Sequence, residues 1–156
     1  MKPNWTWASG FTCLLLAFIL GSFLPQNATG AEEVLKLQAV LVWGTNAKNS
    51  PDPAHKPVEA AILKKLQELP LKWTNYFEVN RKSLSAGTSA ATRVVLSDKC
   101  EVEVKHLGKS SVEVSLIGKG SQVLKRTQAL PKGKTLVLGG DAPNATAWLV
   151  VLVRDE

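Results

Sequence analysis

The stretch TRVVLSDKCEVEVKHLGKSSVEVSLIGKGSQVLKRTQAL, residues 92–130, decides the fold. It alternates apolar and polar residues in short runs that end at turn signals. Side chains two apart on a strand share a face, so this period predicts half-buried strands. The runs are Thr92–Leu96, Cys100–His106, Ser111–Ile117 and Gln122–Leu130. Leu107-Gly-Lys-Ser110 and Gly118-Lys-Gly120 separate the last three. Cys100, Val102 and Val104 share one face of the second run, and Glu101 and Glu103 the other. Two more strands, Lys134–Leu138 and Ala147–Val153, follow the turn signals Pro131-Lys-Gly133 and Gly139-Gly-Asp141. Short strands spaced about eight to twelve residues apart predict an antiparallel meander closing into a sandwich or half-barrel.

Upstream of this stretch the pattern changes. Ser83-Leu-Ser-Ala-Gly-Thr-Ser-Ala-Ala91 is small and polar and reads as a flexible loop. Tyr76–Leu84 reads as a strand with Phe77 and Val79 on one face, and Trp73, Tyr76 and Phe77 form an aromatic knot. Val58–Leu69 is predicted as a helix, because Val58, Ala61, Ile62, Leu66 and Leu69 fall on one stripe. Pro57 suits its first position and Pro70 closes it. Gly44 to Pro57 is a proline-rich loop. Glu33–Trp43 reads as the first strand. Leu35, Leu37, Ala39, Leu41 and Trp43 form one face, and the other turns apolar at Val40 and Val42, which predicts a central strand. The expected fold is mainly β with one helix: an antiparallel β-sandwich or half-barrel of about seven to eight strands, the helix inserted after the first strand.

Residues 1–31 differ from the rest. They hold one charged residue, Lys2, and an apolar core from Phe11 to Leu24. Pro25 and the small polar run Gln26–Ala31 follow, ahead of Glu32 and Glu33. A positive start, a short apolar core and small residues before an acidic pair make a secretory signal peptide. A spanning helix needs about 20 apolar residues, so residues 1–31 anchor the chain in a membrane only if the signal stays uncut. Residues 32–156 are expected to form a single β-sandwich-like domain, exported to the periplasm or the extracellular space. That part keeps one cysteine, Cys100, so its fold rests on no internal disulfide.

The sequence is poor in recognisable chemistry. Cys100 lies on an apolar strand face without a histidine beside it in sequence, the pattern of a core thiol rather than a nucleophile. His55 and His106 are the only histidines. A metal needs three or four convergent ligands, and Glu101, Glu103 and His106 do not share one strand face. Glu101 and Glu103 do share one, at a spacing of roughly 7 Å. Such a pair suits a carboxylate-based hydrolase, and also the solvent face of any half-buried strand. Gly139-Gly140-Asp141 opens no helix and lacks the context of a phosphate loop. Neither catalytic residues nor a cofactor is expected.

Charge supplies the one uneven feature. The chain carries 19 Lys and Arg against 13 Asp and Glu. Between Glu113 and Asp141 no acid occurs, while Lys119, Lys125, Arg126, Lys132 and Lys134 do. Outside the cytoplasm the expected partner of such a segment is an envelope protein or an anionic envelope polymer. Nucleic acid is not expected, because stacking aromatics are missing from the segment. The alternative role for these cations is to keep a strand edge from pairing with another chain.

Leu71-Lys-Trp-Thr-Asn-Tyr-Phe-Glu-Val79, Leu96-Ser-Asp-Lys-Cys-Glu-Val-Glu-Val104 and Lys132-Gly-Lys-Thr-Leu-Val-Leu-Gly-Gly140 together carry a resemblance. The chain beyond residue 31 resembles a family of small exported uncharacterised bacterial β-rich proteins. The resemblance implies an N-terminal strand, a helix and a β-rich C-terminal half, and no known activity. The expected function is that of an exported, non-enzymatic binding or assembly module of the cell envelope. The alternative is a small envelope hydrolase built on carboxylates.

Overall fold

Alternation of the kind seen at residues 92–130 becomes a sheet when each strand finds a partner in register. The computed structural model describes residues 33–155. The signal-peptide reading of residues 1–31 lies outside them. In chain order the elements are β1 (Leu35–Thr45), β2 (Lys56–Pro57), α1 (Ala60–Gln67), β3 (Asn75–Ala86), β4 (Thr92–Ser97), β5 (Cys100–His106), β6 (Ser111–Gly118), β7 (Ser121–Ala129), β8 (Thr135–Ala142) and β9 (Thr146–Arg154). They form two antiparallel sheets, ordered β2-β3-β1-β9-β8 and β4-β5-β6-β7. The fold is mainly β with a single short helix, and the two sheets make a β-sandwich-like arrangement.

The faces of β1 show how the layers stack. Leu35, Leu37, Ala39 and Leu41 point between the sheets. There they meet Leu96 of β4, Val102 and Val104 of β5, and Val112, Val114 and Leu116 of β6. Val40 and Val42 point the other way. They meet Val58, Ile62 and Leu66 around α1, together with Trp73 and Tyr76. The helix therefore makes a third layer on the outer face of the five-stranded sheet. β1 lies between β3 and β9, central as its two apolar faces predict. Arg81 ties the start of the helix to β3, its guanidinium bonding Glu78 and Glu59.

Three segments differ from expectation. Gly139-Gly-Asp141, expected as a turn, lies inside β8 and pairs with Leu149 to Ala147. The small polar run does not begin a loop at Ser83. Ser83 to Ala86 pair with Gln38 to Leu35, and Leu84 and Ala86 are buried in the core between the sheets. The serines alternate with those two residues, so a half-buried strand hides in a loop-like composition. The helix is also shorter than its apolar stripe. Pro57 pairs with Phe77 instead of opening the helix, and the Val58 N–H bonds the Tyr76 carbonyl. Glu59, at φ −58° and ψ 142°, is still extended. Val58 thus joins the helix-side core from the extended link between β2 and α1.

The turns obey local chemistry. β6 and β7 are joined by Lys119 and Gly120, both at positive φ, the conformation of a two-residue hairpin turn that matches strand twist. Gly139 in β8 stands at φ 142°, where a Cβ would come 2.2 Å from the Trp148 carbonyl oxygen. Only glycine fits there.

Candidate functional site

The basic segment is laid out along β7 and its two ends. Lys119 sits in the β6–β7 turn, Lys125 and Arg126 in mid-strand, and Lys132 and Lys134 in the connection to β8. Nine residues of strand span about 30 Å. Lys119 and Lys132 are therefore well apart, and the five cations do not form one compact patch.

The register divides the central pair. Arg126 lies opposite Val114, a core residue on the inner face of β6, whereas Lys125 lies opposite Ser115. Lys125 leaves the outer face and its Nζ pairs with Glu113 at 2.9 Å. Arg126 leaves the inner face and has no ion-pair partner among the described residues.

Arg126 points into a groove of about 360 Å³ on the open side of the sandwich. β7 and β8 are the last strands of their respective sheets, and no described strand closes the gap between them. Thr135, Leu136 and Val137 of β8 line the groove. Arg126 and Gln128 of β7 form one wall, and Lys65, Glu68 and Leu69 at the end of α1 form the other. Lys65 bonds Glu68 at 2.8 Å. That bond, with the charges of Lys64 and Lys134, holds the Glu68 carboxyl below its ordinary pKa. The side-chain oxygen of Gln128 is buried and has no hydrogen-bond partner. β7 is exposed over nearly its whole length, Val123 to 66%.

The remaining candidates have structural partners. Glu101 and Glu103 face outward and share Arg93, whose guanidinium reaches Glu103 at 2.9 Å and Glu101 at 3.5 Å. Both carboxylates are held by one cation on the outer sheet face, not at the walls of a cleft. Cys100 packs against the core, and burial, aided by the neighbouring Glu101 charge, pushes its thiol pKa up. That is opposite to the activation a nucleophilic thiol needs. His106 is buried, with Nδ1 2.8 Å from the Glu33 carbonyl oxygen and Nε2 3.2 Å from that of Lys109. It ties the start of β1 to the β5–β6 turn. Among the described residues no group of three or more His, Cys, Asp or Glu is placed to hold a metal ion.

The loop before β2 brings Ser50, Asp52 and His55 together. Ser50 Oγ lies 2.7 Å from His55 Nδ1, and His55 Nε2 lies 3.7 Å from Asp52. Yet Ser50 Oγ also accepts the Asp52 N–H, and Asp52 accepts the Ala54 N–H. These bonds fold the loop upon itself, as short polar side chains do in turns.

One row of aromatics escaped the sequence reading. Phe77, Trp43 and Trp148 are direct neighbours across β3, β1 and β9, and Gly140 of β8 continues the row. Trp43 and Phe77 rings stand 6.2 Å apart, and Trp148 is 46% exposed. Residue separation in the chain concealed this row, which cross-strand register alone creates.

Comparison with protein-family models, with curated proteins and with solved structures finds no match. Among the described residues no helix is long and apolar enough to cross a membrane.

Proposed function

We propose that this chain is an exported, non-enzymatic binding or assembly module of the cell envelope, and that it makes contact through the open β7–β8 side of its sandwich. Export rests on the signal-peptide pattern of residues 1–31. The single observation that carries the contact surface is Arg126, an unpaired guanidinium facing a groove between two terminal strands. Lys125 and Arg126 are both exposed, but Lys125 is held by Glu113, whereas Arg126 stands beside the groove without an ion-pair partner among the described residues. Lys65 and Lys134 add positive potential around the same groove. The partner is an acidic envelope protein or an anionic envelope polymer.

The test has two parts. Intact mass of the protein recovered from fractionated cells should match residues 32–156. The same material should co-sediment with the envelope fraction at low ionic strength and be released by salt, as screening requires. A full-length mass in the membrane fraction makes the first segment an anchor and overturns the export reading. Absence of envelope association at low salt overturns the contact reading.

A further inference from the structure

We propose that the outer edge of β8 accepts an extended acidic segment of a partner protein as an added strand. The proposal rests on the binding-module reading above and specifies its partner.

The argument begins with the backbone. β8 is hydrogen-bonded to β9 along one side and to no described strand along the other. A strand edge presents a row of N–H and C=O groups that can template a further strand. Natural sheets guard such edges with lysine, proline or a bulge. β8 reads Thr-Leu-Val-Leu-Gly-Gly-Asp-Ala, without a lysine, an arginine or a proline and with its one charged residue, Asp141, near its far end, and it pairs with β9 without a register shift. Its cations sit on the walls instead of on the edge. The groove thus has an unguarded strand along it and charged flanks that can select what enters.

The flanks favour carboxylates. Lys65 and Arg126 line the groove with Glu68, which Lys65 pairs, and Lys64 and Lys134 lie near enough for their charges to act on Glu68, so the flanks carry more positive than negative charge. A second copy adding its own β8 brings only one acid, Asp141, on that strand, and so does not match the positive flanks. A glycan or lipid headgroup can meet the cations but cannot continue a peptide ladder. An acidic strand can do both, with backbone bonds supplying affinity and alternate side chains reaching the walls. Leu69 and Val137 offer apolar contact to a residue lying between two acids.

The test uses the full chain as exported and a fluorescein-labelled peptide alternating threonine with glutamate. Binding is followed by anisotropy at low salt, beside the same peptide N-methylated at every second residue in either of the two phases, and beside a threonine–lysine peptide. The expected result is saturable binding of the acidic peptide, weakened at least about tenfold in one methylated phase and by Arg126→Glu. Lys119→Glu, at the far end of β7, should bind like the wild type. Equal binding of the acidic peptide and both methylated forms overturns strand addition, and leaves the envelope-binding reading standing if envelope co-sedimentation persists. No binding of the acidic peptide, or equal binding of the lysine peptide, also overturns it. Loss of envelope co-sedimentation in the wild type is the separate failure that removes the reading beneath.

Discussion

Lys125 and Arg126 are consecutive in β7, and their side chains leave opposite faces of the four-stranded sheet. Lys125 is paired with Glu113 in solvent, and Arg126 faces the groove beside β8 unpaired. The basic segment is therefore two surfaces with different surroundings. Reversing each charge separately should give different results.

On stability, Lys125→Glu places a carboxylate beside Glu113 on an exposed face. The expected loss is no more than about 1 kcal/mol, because exposed pairs are weak and screened. Arg126→Glu breaks no pair and should leave the thermal midpoint within error of the wild type. Thermal denaturation followed by circular dichroism checks both. A large loss for Arg126→Glu would show that the guanidinium holds the fold together.

Gly139 and Gly140 are adjacent in β8 but should respond very differently to alanine. At Gly139 the added Cβ meets the Trp148 carbonyl, and φ is 142°. Gly139→Ala should cost about 2 kcal/mol or more through overpacking and backbone strain. At Gly140 nothing lies within 4 Å of the added atom, so Gly140→Ala should be tolerated. Urea unfolding of the two variants measures the contrast.

The helix is held by burial more than by its own eight residues. Leu66 is fully buried against the outer face of the five-stranded sheet. Leu66→Ala should cost about 2–5 kcal/mol, the range for a leucine removed from a packed core. A loss within ordinary surface scatter would mean that α1 does not dock on the sheet.

Cys100 gives a pH prediction with a definite sign. Burial, followed by the Glu101 charge, raises its folded pKa above the ordinary 9.0. The folded state therefore favours the neutral thiol. This contribution to stability is complete below the unfolded thiol pKa and is lost as pH rises through the folded value. Iodoacetamide at pH 8 should modify the folded protein more slowly than the urea-unfolded chain, and Cys100→Ser should reduce the alkaline loss of stability. Faster modification of the folded protein would contradict the buried-thiol account.

The alternation in residues 92–130 made β4 to β7 and their turns legible, because β5 and the first half of β6 bury alternate residues and turn signals bound every run, although β7 itself is exposed along nearly its whole length. The central place of β1 was legible for the complementary reason, since Val40 and Val42 add a second apolar face to it. Ser83 to Ala86 were misread because strand pairing with β1 overrides a loop-like composition. Pro57 looked like a helix start because its locked φ suits an extended strand end as well. The opposite directions of Lys125 and Arg126 follow from period two alone. That β7 lies at an open side, with Arg126 facing the end of α1, depends on sheet order, which no local pattern encodes. The Trp43, Phe77 and Trp148 row was hidden for the same reason.

The contact surface is tested most directly by salt-dependent co-sedimentation of the wild type, Lys125→Glu and Arg126→Glu with the isolated envelope fraction. The account predicts near-wild-type association for Lys125→Glu and a loss of about tenfold or more for Arg126→Glu. Unchanged association of both variants would contradict it and assign the cations of β7 to edge protection alone.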